Sequence, residues 1–177
     1  MVDQLVQLGI CEELIVVIAA ALPILELRGA LPIAIYLFHM PWYWALCLAV
    51  IGNLIPVPFL LLFLESLAKG VSRTESGKKV VDWVFQRTRQ RGRIIERYER
   101  IGLTLFVAIP LPVTGAWTGS IAAFVFGLKF NRALLYIFFG VVIAGGIVTT
   151  LCLLGWLGAL IAGVGLASLA VLGLWRL

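Results

Sequence analysis

The chain has 177 residues, of which 62% are hydrophobic and 13% charged, and its formal net charge is +5. A soluble domain of this length cannot hide so much apolar surface, so the composition excludes an ordinary globular protein and implies a single integral membrane domain. The charge is concentrated: residues 65–101 hold ten Lys or Arg against five acids, which reads as a cytoplasmic loop between two apolar halves.

Residues 1–13 mix polar and apolar types, and Leu5, Leu8 and Glu12 fit a short interfacial helix. Asp3, Glu12 and Glu13 stand where a signal peptide needs positive charge, so no cleaved signal is expected. Leu14 to Leu25 is an apolar arm of about 12 residues, roughly 18 Å as helix, a little over half of a ~30 Å hydrocarbon core. Glu26-Leu27-Arg28-Gly29 then interrupts it, between Pro23 and Pro32, and a second short arm runs from Ala30 to Phe38. Two half-length arms around a polar centre are better explained as a re-entrant hairpin than as one span, because irregular backbone at membrane depth survives only where protein or a water-filled cavity surrounds it. The alternative, a full span over Leu5–Leu22, places Glu12 and Glu13 in its middle.

Trp42 to Leu64 is long enough to span. It starts with an aromatic belt (Trp42, Tyr43, Trp44) and carries Asn53, Pro56 and Pro58, which predict a kink in its second half. Lys78 to Arg100 reads as an amphipathic, headgroup-contacting connector, with Val81, Val84, Phe85, Thr88, Ile95 and Tyr98 near one face and Glu96 and Arg100 as an i,i+4 pair. The run Arg87–Arg93 admits a nucleic-acid reading, but a positive-inside loop already accounts for it, so no nucleic-acid partner is expected. Ile101 to Ile109 is another half-length arm. It meets Pro110-Leu111-Pro112-Val113-Thr114-Gly115-Ala116-Trp117-Thr118-Gly119-Ser120, and Ile121 to Leu128 follows as the second arm of a second hairpin. Ala133 to Leu154 is a full span, 155–158 a turn, and Ala159 to Trp175 a final span ending at Arg176.

Placing Gly29 on Gly115 aligns Gly29-Ala30 with Gly115-Ala116 and Phe38 with Phe124. The order of events repeats: arm, polar break, arm, full span. The fold class expected is therefore all-α and integral to the membrane, a single domain over 1–177, with repeats at about 14–66 and 101–154, the connector at 69–100, and an added helix at 156–176. With the basic loop and Arg176 cytoplasmic, in a multi-pass cell-membrane protein, the two repeats are inverted and their hairpin tips meet near the midplane, the layout of secondary transporters.

Glu26–Pro32, Gly52-Asn53-Leu54-Ile55-Pro56-Val57-Pro58 and Ile109–Gly119 together resemble the small multidrug export protein family of bacteria and archaea, over about residues 20–154. That family is similar, distantly, to the DedA/VTT superfamily. The resemblance implies two facing re-entrant hairpins, and a role in moving lipids such as polyprenyl phosphates or in proton-dependent drug or pH tolerance. DedA proteins carry arginines in and after the second hairpin. Here that hairpin offers Thr114, Trp117, Thr118 and Ser120, so Arg28 would have to hold any anionic headgroup.

An ionisable residue at membrane depth costs roughly 2.5–3.5 kcal/mol on insertion scales and marks a candidate site. Glu26 and Arg28 point to different sides of a regular helix; at a hairpin tip they either converge or address separate partners. One reading makes them structural, neutralising each other or capping broken helix ends. In the other, Glu26 exchanges protons, with burial and Arg28 pulling its proton affinity in opposite senses, while Arg28 holds a phosphate or carboxylate. Thr114, Gly115, Thr118, Gly119 and Ser120 either complete the cavity or, through Gly115 and Gly119, simply allow close helix approach. Asn53 is an interhelical hydrogen-bonder or a cavity group, and Trp117 a packing or a stacking residue. Ala159, Gly163 and Ala167 form a small-residue seam that packs within the protomer or forms a homodimer. Three scattered cysteines and a lone His39 suggest neither disulfide nor metal. No nucleophile motif, P-loop or cofactor signature is present, so no enzyme activity and no cofactor are expected. The expected partners are the bilayer, a small-molecule or lipid substrate, and protons as coupling ion. A structural or assembly-factor role is the competing class.

Overall fold

The computed structural model describes residues 11–71, 101–110 and 114–174. The expected interfacial helix before Glu12 and the amphipathic connector at 78–100 lie outside the described residues. Every regular element among the described residues is helical: α1 (Glu12–Ala21), α2 (Glu26–Pro32) continued by a π turn (Ile33–Leu37), α3 (Trp42–Leu54), α4 (Pro56–Val71), α5 (101–108), α6 (Ala116–Val125), α7 (Phe130–Leu153) and α8 (Trp156–Leu174).

Trp42–Leu67, which takes in α3 and most of α4, and Phe130–Leu153 are long and apolar enough to cross a membrane, with mean hydropathy 2.4 and 2.3. Only 28% and 39% of these stretches is buried, so they are not core helices of a soluble protein. Their outward faces carry Phe59, Phe63, Phe138, Phe139 and Ile143, an apolar exterior that suits lipid. The predicted kink is present: the first long helix is interrupted at Ile55, where Pro56 and Pro58 each lack the N–H that would close a helical bond.

The first break lies earlier than the sequence pattern placed it. The chain turns at Leu22–Leu25, and Glu26 to Gly29 already sit on α2. Pro23 explains the shift, since the residue before a proline avoids helical backbone, and Leu22 is extended at ψ 138°. Similarly α6 starts at Ala116, so Trp117 to Ser120 are helical and the second break is confined to about 109–115.

Buried positions recur in the same order in the two halves. Ile15, Ala19 and Ala20 on α1 are matched by Leu103, Val107 and Ala108 on α5, and Ala45, Ala49, Gly52 and Asn53 on α3 by Ala133, Ile137, Gly140 and Val141 on α7. On α2 and α6 the buried positions Glu26, Leu27, Ala30 and Leu31 recur as Gly115, Ala116, Gly119 and Ser120, an order that sets Glu26, and not Gly29, against Gly115. Identity had favoured pairing two glycines, whereas burial pairs the residues that face each other. The first half carries one residue more between this point and its long helix, and the π turn, a one-residue bulge in a helix, accommodates it.

The halves pack by the same device. A Cβ on Gly52 would collide with the Val17 carbonyl and lie 2.8 Å from Ala20 Cβ; a Cβ on Gly140 would lie 2.6 Å from Val107 Cβ and 2.9 Å from the Thr104 carbonyl. Each long helix therefore presses its backbone directly onto the short arm that opens its own half. Gly145 faces Leu46 and Val50, while Asn53 shares a cavity with Val141 and Ala144, so α3 and α7 pass one another in opposite directions. Tyr36, at the π turn, donates to the Cys152 carbonyl. Gly155, at φ 58°, makes the turn into α8, and Gly158 lets α8 close on Leu151. The seam Ala159, Gly163 and Ala167 is exposed, with open space beside Gly163, so it packs against none of the other described helices.

Gly52→Val and Gly140→Val are each expected to cost about 1–3 kcal/mol by overpacking, read as a lowered melting temperature in detergent. Gly146→Val, beside open space, is the control and should fall well below that cost.

Candidate functional site

The two breaks meet at Glu26. Its backbone is left-handed, at φ 47°, a conformation that costs a non-glycine residue of order 1–3 kcal/mol, and its side chain is buried at 9% exposure. The carboxylate reaches the first turn of α6. There the Trp117 backbone N–H donates to it, and it lies over Gly115 so closely that a Cβ at that position would overlap Oε2 and stand 2.5 Å from the carboxyl carbon. Gly115 is extended at φ −178°, which any residue tolerates. Glycine is required there for room. A helix N-terminus offers free N–H groups and a positive end, so a carboxylate is well placed.

Arg28 turns elsewhere. Its Nη2 donates to Thr114 Oγ1 at 3.2 Å and to the Ile109 carbonyl at 3.4 Å, and the Thr114 hydroxyl itself donates to Ile109 O at 2.7 Å. The guanidinium thus clasps both sides of the second break. Of the two arrangements open to Glu26 and Arg28, the structure has them address separate partners, while close enough to attract.

The remaining α6 candidates divide by use. The Thr118 hydroxyl accepts from the Gly115 N–H at 3.0 Å and caps the helix. The Trp117 indole donates to the Ala21 carbonyl at 3.1 Å, satisfying an acceptor at the open end of α1; it ties the breaks together. Ser120 is fully buried and its hydroxyl donates back to Ala116 O at 2.7 Å within α6. It faces no cavity. Gly119 lets Val107 approach, with 2.5 Å from a built Cβ to Val107 Cγ2. The alternatives for the two glycines are therefore both realised, one at each position.

Glu26, Leu27, Arg28, Asn53, Val107, Gly115, Val141 and Ala144 line a cavity of about 10 Å³, the space of a single water molecule. Asn53 is 4% exposed, and its Oδ1 meets no donor among the described residues; a buried acceptor left so costs about 1–3 kcal/mol. Sequence reasoning named Glu26, Arg28, Asn53 and Gly115 and missed the α7 wall. That wall, Val141 and Ala144, carries no chemistry that a sequence pattern would single out. Among the described residues no group of His, Cys, Asp or Glu could hold a metal ion.

Gly115→Ala should lower the melting temperature in detergent, and its cost should shrink when Glu26→Ala removes the overlapping carboxylate. A coupling of about 0.5–3 kcal/mol in the double-mutant cycle is expected; additivity would show that the carboxylate does not sit on Gly115.

The comparisons with known proteins agree with the motifs. No curated protein and no solved structure matches the chain. A family model described as "Putative small multi-drug export protein" matches residues 26–147. The match begins at Glu26, just after the first break, includes the second break, ends within α7 and covers about two thirds of the sequence, and the chain therefore belongs to the small multi-drug export protein family.

Proposed function

We propose that the chain is a membrane transporter and not an enzyme, with its site at the bilayer midplane where two re-entrant hairpins meet tip to tip. In this reading α1–α2 and α5–α6 are the hairpins, α3–α4 and α7 are the spans, α8 is an added helix, and the halves are inverted repeats. Residues 69–100 and the C-terminus face the cytoplasm, in line with the basic excess there. The matching burial order of the halves and the opposite directions of α3 and α7 support the inversion.

The observation that carries the reading is Glu26 itself. A carboxylate with a left-handed backbone is held at the start of a broken helix, beside Asn53 and Arg28, in a chain whose long helices suit a bilayer. Glu26 is the proton-coupling residue, and Arg28 holds the anionic group of a substrate when it leaves Thr114 and Ile109. The family description favours export of small molecules or drugs; an anionic lipid headgroup would engage Arg28 by the same chemistry.

A second reading has a specific observation behind it. Both charges cap backbone at the opposite break, and the cavity has no room for a drug, as a structural or assembly role without transport would require. Purified protein in liposomes separates the two. Wild type should take up a cationic dye or flip an anionic lipid in response to a pH gradient, and Glu26→Gln should lose that pH response by tenfold or more while eluting and melting close to wild type. A Glu26→Gln protein that loses stability in proportion to activity would favour the structural role. Full pH dependence in a well-folded Glu26→Gln would end the coupling assignment.

A further inference from the structure

We infer that the cavity between Asn53 and Glu26 is a binding site for one water molecule, held by Asn53 Oδ1 and the Glu26 carboxylate, and that this water is the group with which Glu26 exchanges its proton. The second clause rests on the transport reading above; the first does not.

Size comes first. The cavity of about 10 Å³ fits a single water and nothing larger. Chemistry then selects among species of that size. Two acceptors bound the space: the Asn53 amide oxygen, 96% buried and without a protein donor among the described residues, and the Glu26 carboxylate. They call for a ligand that donates twice and repel an anion. The opposite walls are positive: the Arg28 guanidinium, and Gly115 at the N-terminus of α6. A bare cation is disfavoured there. Water is the small species that donates and accepts, carries no charge, and needs two to four polar partners. Among the described residues, Leu27, Val107, Val141 and Ala144 supply the apolar part of the lining.

Proton exchange follows from that placement. The titratable or charged groups lining the cavity are Glu26 and Arg28, both from α2; α3 contributes Asn53, and α5, α6 and α7 contribute Val107, Gly115, and Val141 with Ala144. Arg28 keeps its proton under all ordinary conditions. A proton leaving the Glu26 carboxyl oxygen therefore goes to a water lone pair, giving carboxylate and a hydronium ion, and returns by the reverse step. Asn53 is a positioning residue: it touches the water and sets its orientation.

Infrared difference spectroscopy of the full-length protein in nanodiscs tests both parts. Spectra in H₂¹⁶O and H₂¹⁸O should reveal a narrow isotope-sensitive band of an isolated internal water in wild type. The band should be lost in Asn53→Leu, which removes the acceptor and fills the space, and kept in shifted form in Asn53→Ser, which retains a hydroxyl. If Asn53→Leu does not fold, Ala144→Val decides, because it fills the cavity from α7 and leaves every polar group in place; the band should disappear there too. Absence of the band in wild type, or its survival in Asn53→Leu or Ala144→Val, overturns the site. The second part is read from the Glu26 carboxyl band, assigned by its loss in Glu26→Gln. Its hydrogen–deuterium exchange should slow at least tenfold in Asn53→Leu, or in Ala144→Val if that variant stands in. An unchanged rate, or no protonated band between pH 4 and pH 9, removes the exchange role. The water band decides the site by itself, so failure of the transport reading and failure of the site are seen separately.

Discussion

The Glu26 carboxylate seated on Gly115 is the contact on which the rest of the centre depends. On the transport reading, bringing a charge to membrane depth costs roughly 2.5–3.5 kcal/mol, and the left-handed backbone at Glu26 adds about 1–3 kcal/mol. Against this stand up to ~2 kcal/mol from the positive end of α6 and about 1.5–3 kcal/mol for a hydrogen bond to a charged group, here from the Trp117 N–H. The terms nearly cancel. That near balance supports the reading proposed above, in which Glu26 works in transport, over one in which it only staples the two breaks together.

What lets the two breaks meet is the absence of side chains elsewhere. Gly52 brings α3 onto α1, Gly140 brings α7 onto α5, and Gly115 leaves the space that the carboxylate fills. Polar bonds then close the gap between halves: Arg28 to Thr114 and Ile109, and Trp117 to Ala21. Each satisfies a backbone or hydroxyl acceptor beside a broken helix, where hydrocarbon could not. On the transport reading these bonds open when a substrate enters; the Trp117–Ala21 bond is neutral at both ends and the Arg28 bonds at their acceptor ends. Such a closure is compatible with alternation between states.

The long spans were readable from the sequence because length and hydropathy alone define them, and the interruption at Ile55 was readable because Pro56 and Pro58 have no N–H to give. The acid and the guanidinium stood out against their apolar surroundings. The position of the breaks was less legible. Glu26 to Gly29 and Trp117 to Ser120 look like turn residues by composition, yet both stretches are helical, since the backbone between the arms is set by Pro23 in one half and by the cap at Gly115 in the other. The packed chain puts a glutamate against Gly115, a pairing that identity between the two stretches does not reveal. The α7 wall of the cavity escaped notice because Val141 and Ala144 carry no chemistry of their own; only the fold reveals that they close a polar space. Ser120, the reverse case, has a hydroxyl that suggests a site and spends it within its own helix.

On the transport reading proposed above, the centre around Glu26 is reached from each side of the membrane in turn. The most direct measurement is the reactivity of a cysteine at position 144, in protein whose Cys11, Cys47 and Cys152 have been replaced by alanine or serine, toward a membrane-impermeant thiol reagent. Ala144 is 5% exposed and lines the cavity. In proteoliposomes of sorted orientation, with a pH gradient imposed, the Ala144→Cys protein is expected to react from the cytoplasmic face and from the opposite face, more slowly without the gradient. A cysteine there that never reacts from one of the two faces, in protein that folds and reconstitutes normally, would contradict the account.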